Sequence, residues 1–509
     1  MPESILFTTI TIGLTFLLSY ITYRIFCFYK RYFLYPKGPI PLPLIGNILL
    51  FRGHKLHPLE SFQEIRKKYG PIYTFYMGSD PYVIIFDLKI AKDLFSKSCF
   101  SGRQISLIGS FICSDNANDI IFCDYSENWH SLRTVFKLAV RKYASTQQLA
   151  QTISQVVDNT VKDSIINESV GQPFDPKDCI EIIFYCVVLS IAFGKIFTSK
   201  DQEYQRLHEI TDRFFQLGDK LALIEFVPIL RLPLYRYVQK FHGVINDYKK
   251  LIADKLDEHI QTYDNRKGIR DFCDAMIAAK LEAIDSNKES APYLTDQNIA
   301  LAMWDIFVTA TDDTQFSFHW MLILLANYPD VQQQIRDEIN QKIGHKVAIQ
   351  EDIDECHYIN AFISETLRFR CANPLGVPHK TMANTEIDGL SIPAQTTVIV
   401  HQYSILTDPK YWSDPLVFRP ERFMENGRYV STRPQAYIPF GVGRRKCLGD
   451  RLALNELFLI LVQFMQSTND YDIILPAGPE TADLKPNPDQ VVLFCTPKPY
   501  KIALKKHDK

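Results

Sequence analysis

The chain lacks a charge of one sign: 56 Lys and Arg stand against 58 Asp and Glu over 509 residues, a formal net charge of −2. With no basic excess, no nucleic acid is expected as a partner. The 11 cysteines include no CxxC pair and are odd in number, scattered from Cys27 to Cys495. That spacing indicates neither a zinc site nor a disulfide framework, so most of these thiols are expected to be reduced core residues. No internal repeat and no low-complexity linker divides the chain. The globular part is therefore expected to be one large unit, bigger than an ordinary domain.

One run lacks charge altogether, Ile5 to Tyr23, dominated by Ile, Leu, Phe and Thr. Nineteen helical residues span about 28 Å, close to the hydrocarbon thickness of a bilayer. Glu3 precedes it, whereas Arg24, Lys30, Arg31 and Lys37 follow, which places the C-terminal part in the cytosol. A cleaved signal peptide would need a basic leader and a small-residue cleavage site, and neither is present. Next, Pro36, Pro39, Pro41 and Pro43 stiffen the segment Tyr35–Asn47 into an extended hinge.

Further on, Leu59–Tyr69 has helical periodicity, and Ile72–Tyr76 with Tyr82–Phe86 reads as a hairpin about Gly78-Ser79-Asp80-Pro81. Lys89–Ser96 reads as a short helix, and residues 100–125 show no clean period, the mark of a functional loop. Residues 145–280 read as successive amphipathic helices. Within them Leu217–Tyr235 mixes apolar runs with Pro228 and Pro233, as either a lipid-dipping segment or an irregular loop. From Thr295 to Asn327 the chain predicts one long helix, roughly 50 Å, apolar all round at both flanks. Its middle, Thr309-Ala310-Thr311-Asp312-Asp313-Thr314-Gln315, is polar, which a buried helix tolerates only where partners or water meet it.

The most informative stretch is Phe440-Gly441-Val442-Gly443-Arg444-Arg445-Lys446-Cys447-Leu448-Gly449. The glycines permit tight turns and close approach by something large and flat. The three cations and the start of the following helix are expected to favour thiolate over thiol at Cys447, which suits a metal ligand.

This stretch resembles the cysteine-loop signature of the cytochrome P-450 family, with Phe440, Gly443, Arg445, Cys447 and Gly449 at the pattern's fixed positions. In that family the thiolate is the axial ligand of haem iron. The resemblance, to the microsomal eukaryotic type, extends over residues 36–509 and implies a mainly α fold with small β-sheets. It implies a membrane anchor at 1–28, a Pro-rich hinge at 29–47 and a haem-thiolate monooxygenase domain at 48–509. The activity implied is insertion of one oxygen atom from O2 into a lipophilic substrate: a sterol, a fatty acid or a xenobiotic. Cys447 would hold haem b, with the long helix on the opposite side. Trp129, Arg133, His379 and Arg445 would reach the haem propionates, since an Arg fork suits a carboxylate. Ala310 would face the haem, with Asp313 as acid and Thr314 as alcohol for proton delivery. Here Thr311 replaces the family's usual Gly, and Gln315 its second hydroxyl residue. Glu365, Arg368 and Arg422 would form a buried structural triad. Phe122, Ile121, Leu375, Val377 and residues near Gln490–Leu493 would touch substrate. No flavin domain is present, so the implied partners are an NADPH-cytochrome reductase and cytochrome b5, docked on Lys137, Arg141, Lys142, Arg444 and Lys446. The implied location is the endoplasmic reticulum membrane, by a single-pass N-terminal anchor among its lipids. A haem isomerase or dehydratase working on peroxides, or a haem binder without turnover, would share the cysteine loop; NADPH-dependent oxygen uptake separates them.

Overall fold

The protein begins with helix α1 (Pro2–Tyr32), whose side chains from Phe7 to Phe26 are all exposed. Its stretch Phe7–Tyr32 is long and apolar enough to cross a membrane. Thr11, Thr15 and Thr22 donate their hydroxyls to carbonyls four residues back, which keeps those three groups bonded within the helix. The helix runs to Tyr32, four residues into the segment expected to be hinge, and stops before Pro36. Its end is fastened to the globule: Phe28 packs on Tyr76 at 5.5 Å, and the Tyr29 and Tyr32 hydroxyls donate to the Pro41 and Gly38 carbonyls. This computed structural model describes residues 2–51, 58–103, 107–113, 119–143, 147–166, 171–226, 231–430, 432–476, 483–487 and 494–507.

Helix α2 (Pro58–Tyr69) leads into the expected hairpin, β1 (Ile72–Met77) and β2 (Asp80–Ile85), with Ile72 opposite Ile85. Helix α3 (Leu88–Ser96) follows, capped by the Asp87 carboxylate on the Ile90 amide at 3.0 Å. The stretch without periodicity still contains β3 (Gly102–Arg103) and a short helix α4 (Leu107–Ile112). Helices α5 (Glu127–Tyr143), α6 (Gln147–Val161), α7 (Lys177–Phe193), α8 (Gln202–Phe226), α9 (Tyr235–Thr262) and α10 (Phe272–Asp285) then form the main helical layer. Pro228 lies outside the described residues, while Leu232 and Tyr235 beside it are exposed.

The expected long helix is α11 (Asp296–Asn327), 32 residues, capped by the Thr295 hydroxyl on the Asn298 amide. It crosses the core against α7 and α9, with Phe318–Leu325 and most of Ile299–Phe307 buried. Pro329 starts α12 (Pro329–Lys342), followed by α13 (Gln350–Glu355) and α14 (His357–Phe369). Strands β4 (His379–Lys380), β5 (Thr385–Ile387), β6 (Leu390–Ile392) and β7 (Thr397–Val400) come next. The main sheet has the order β1-β2-β7-β4-β3, with β7 parallel to β2. Strand β5 stays outside that sheet. Asp388 and Gly389, at φ +50° and +78°, turn it back onto β6 in a hairpin of its own. After α15 (Gln402–Leu406) come a hairpin of β8 (Met424–Glu425) with β9 (Arg428–Tyr429), helix α16 (Asp450–Ser467), and β10 (Tyr471–Ile474) paired with β11 (Ala503–Lys506). About 60% of the chain is helical, which makes the fold mainly α with small sheets.

Candidate functional site

The cysteine loop enters against α3. Gly443 lies at φ +77°, and a Cβ there would collide with the Phe95 carbonyl, so only glycine lets the loop pass this close. The Cys447 amide donates to the Phe440 carbonyl at 2.9 Å, which closes the loop ahead of α16. The cations do not surround the sulfur as expected. Arg444 donates to the Ser96 carbonyl at 2.8 Å, Lys446 pairs with Asp450 at 2.7 Å, and Arg445 turns the other way. Burial therefore dominates and pushes the Cys447 thiol up to about 11, helped by the Asp450 and Asp313 carboxylates and opposed by the Gly449 amide and Arg133. The thiolate is not supplied by the loop's charges; a coordinated metal cation would supply it, since a ligating thiol is deprotonated outright.

Cys447 opens onto a cavity of about 280 Å³ whose opposite wall is the middle of α11. Asp305, Thr309 and Asp313 line it at intervals of four, together with Ala310, Thr314 and Ser317. The hydroxyls of Thr309, Thr314 and Ser317 all bond back to carbonyls four residues earlier, Thr314 to that of Ala310. The Asp313 carboxyl has no hydrogen bond or ion pair among the described residues, and burial pushes it up to about 7. Asp312 and Thr311 are buried and turned off the cavity; burial raises the Asp312 carboxyl well above its ordinary range, and the Asp313 and Glu181 carboxylates add to this. The polar interruption thus splits, one carboxyl facing the cavity and one facing the helices behind. On the sulfur side the buried Glu456, unremarked in the sequence, also lines the cavity and is pushed up to about 8 by burial.

Three guanidinium groups share one flank of the cavity, and none lies within ion-pair distance of a carboxylate among the described residues. Arg445 donates to the carbonyls of Ser101 (2.9 Å), Ile120 (3.1 Å) and Cys123 (2.6 Å) and lies over the Trp129 ring at 3.7 Å. Arg133 donates to the Lys446 carbonyl. The third, Arg103, was missed in the sequence; it donates to the carbonyls of Ile121, Val377 and Pro378 at 2.9–3.1 Å. Burial lowers all three, and like charge adds to it, from Arg445 and Arg133 at Arg103 and from Arg133 at Arg445. His379 lines the same flank, stacked on Phe95 at 3.7 Å with Nδ1 on the Phe100 carbonyl, and burial pushes it well down toward the neutral ring. Cations with no carboxylate partner among the described residues, beside the Cys447 sulfur, fit a flat metal complex bearing carboxylates, as haem does. Trp129 departs from its expected contact. Its indole N–H donates to the Ile120 carbonyl at 2.9 Å, and the ring is a platform for Arg445 outside the cavity wall.

Of the candidate substrate contacts, Ile121, Leu375 and Val377 line the cavity. Phe122 does not: Asp119 holds its amide at 3.0 Å and its ring packs over Gly109. Gln490–Leu493 lie outside the described residues. Away from the cavity, Glu365 takes a two-pronged bond from Arg368 (2.6 and 2.8 Å) and a third from Arg422 at 3.1 Å, with Glu365 and Arg368 wholly buried.

The sequence model of the cytochrome P-450 family matches residues 36–504. The chain belongs to this family. It is similar to the steroid 17-alpha-hydroxylase/17,20 lyase of Felis catus, 27% identical over 94% of this chain and 96% of the relative. Cytochrome P-450 1A1 of Opsanus tau is 28% identical over 87% of this chain and 86% of its own. Cytochrome P-450 2D3 of Rattus norvegicus is 28% identical over 92% of each. Cytochrome P-450 proteins are monooxygenases that bind haem through a cysteine thiolate, and this chain is an enzyme of that class.

Proposed function

We propose that this cytochrome P-450 holds haem b through Cys447 and inserts one oxygen atom from O2 into a lipophilic substrate. The observation that carries this is the Cys447 sulfur of the glycine-rich loop opening onto a cavity whose far wall presents Ala310, Asp313 and Thr314. Bound haem supplies the activation of dioxygen; the chain does the rest. Arg103, Arg133, Arg445 and His379 are the residues that would bind the haem carboxylates, and Trp129 holds Arg445 in place. Asp313 holds a proton at its carboxyl near neutral pH, and the Thr314 hydroxyl, swung toward Ala310, orients the water that carries it onward. Ile120, Ile121, Ile306, Leu375 and Val377 keep bulk water away and favour an apolar substrate. The Glu365–Arg368–Arg422 triad has a structural role beneath the cysteine loop.

Electrons would come from a membrane NADPH-cytochrome reductase, with cytochrome b5 as a second donor. The exposed Lys137, Arg141, Arg444 and Lys446 would form the basic face for docking, while the Lys142 side chain lies outside the described ones. The N-terminal helix would anchor the protein in the endoplasmic reticulum membrane with residues 48–509 as the cytosolic domain. The named relatives range from steroid hydroxylases to the 1A1 and 2D3 enzymes, so sterols, fatty acids and foreign lipophiles form the substrate set to screen by binding spectra.

The test is Cys447→Ala. The wild-type protein is expected to give the thiolate-type absorption of the reduced carbonyl adduct and NADPH-dependent oxygen uptake with reductase. The variant is expected to lose both, and an unchanged spectrum would overturn the ligand assignment.

A further inference from the structure

The segment that wraps the cavity carries two thiols lying against each other. Cys113 follows α4, Cys123 precedes α5, and their sulfurs are 3.4 Å apart. The Cys113 S–H also reaches the Asp119 carboxylate at 3.3 Å, and the amides of Phe122 (3.0 Å) and Cys123 (2.7 Å) hold that carboxylate in place. Both are thiols; Cys113 is half-buried and Cys123 buried. The monooxygenase chemistry uses neither sulfur.

We propose that Cys113 and Cys123 form a reversible dithiol–disulfide pair, oxidised by hydrogen peroxide, that alters the wall of the haem cavity. Peroxide meets the more accessible Cys113 first. Its sulfur attacks one peroxide oxygen while the proton passes to Asp119; the O–O bond breaks, and water leaves once that proton is returned, giving a sulfenic acid. Cys123 then attacks the Cys113 sulfur, the S–O bond breaks, and the departing hydroxide takes the Cys123 proton as a second water. Two thiols are oxidised, one peroxide is reduced and two waters form.

Closing the bond brings the sulfurs from 3.4 Å to about 2.05 Å. The backbone that must give is the one in use at the site. The Ile120 and Cys123 carbonyls accept from Arg445, the Ile120 amide donates to Asp305 at 2.7 Å, and the Ile120 and Ile121 side chains line the cavity. The two thiols and Asp119 also bring their ligand atoms within 4.8 Å of one another. A structural zinc site uses four protein donors, and this cluster offers three, whereas the disulfide needs only the two sulfurs.

The experiment uses the full-length haem-loaded protein, treated with hydrogen peroxide, alkylated with N-ethylmaleimide, and digested without reduction on the amino side of aspartate. That cleavage separates the two cysteines at Asp119. The expected product is a linked peptide carrying Cys113 and Cys123, lost in Cys113→Ser and in Cys123→Ser. Both cysteines should lose alkylation in parallel in the wild type and regain it with dithiothreitol, a readout that stands even where a variant fails to fold. The oxidised protein is expected to shift its spectral titration with an apolar ligand, and the reduced protein to return to the starting curve. Full alkylation of both thiols after peroxide, linkage to any other cysteine, or stoichiometric zinc bound through these thiols would overturn the proposal.

Discussion

Asp313 owes its proposed role to a single physical fact: it is a carboxyl in the middle of a core helix with no hydrogen bond or ion pair among the described residues. Burial pushes it up to about 7. Below that pH it carries a proton to give, and above it the proton is gone, so product formed per NADPH consumed should fall as pH rises through neutrality. Asp313→Asn should cut turnover by about 100-fold, within the range general acid catalysis contributes, and flatten that pH profile. Retention of the wild-type slope would remove Asp313 from the proton path. Thr314→Ala should keep the haem spectrum but divert most reducing equivalents to peroxide; product formation still coupled to NADPH would speak against its role. At this scale the sequence was uneven. Cys447 was legible because every determinant of its loop lies within ten residues. Its protonation was not, because the directions of Arg444 and Lys446 depend on Ser96 and Asp450. Arg103 was invisible for a like reason: its acceptors include the carbonyls of Val377 and Pro378, 274 and 275 residues away.

Among elements, α11 was read almost to the residue, since two apolar flanks bounded by Thr295 before and Pro329 after carry their own limits. Which face of its polar middle meets the cavity was not readable there, because neighbouring carboxyls at 312 and 313 differ by 100° around the helix and only packing chooses between them. Strand β5 pairs with β6 and not with the larger sheet because the local Asp388-Gly389 turn folds it back at once. Helix α14 illustrates the opposite case, a pairing visible as a spacing of three and completed by a distant arginine. Removing Glu365 would leave Arg368 charged with no counter-ion in a fully buried site, a change that typically costs about 3–5 kcal/mol. Glu365→Ala is therefore expected to lower the melting temperature sharply or abolish soluble holoprotein, and Arg422→Ala to do less, because Arg368 keeps its two-pronged partner. Equal melting curves for wild type and Glu365→Ala would show that the triad bears no stability.

For the molecule as a whole, the sequence showed an anchor and a large α-rich unit, but not how remote segments close on each other. The parallel pairing of Tyr82 with Thr397 joins strands more than 300 residues apart, and nothing in either strand names the other. The anchor itself makes a simple prediction. Deleting residues 2–23 should release the protein from membranes on alkaline washing while leaving the haem spectrum unchanged, because the contacts to the globule begin only at Phe28. Persistent integral-membrane behaviour would mean that another segment spans the bilayer. Those contacts have a mechanical corollary. With Phe28, Tyr29 and Tyr32 pinned to Tyr76, Pro41 and Gly38, the helix is a braced mast rather than a loose tether, so in a bilayer its tilt would set the bearing of the globule and the height of the cavity above the headgroups.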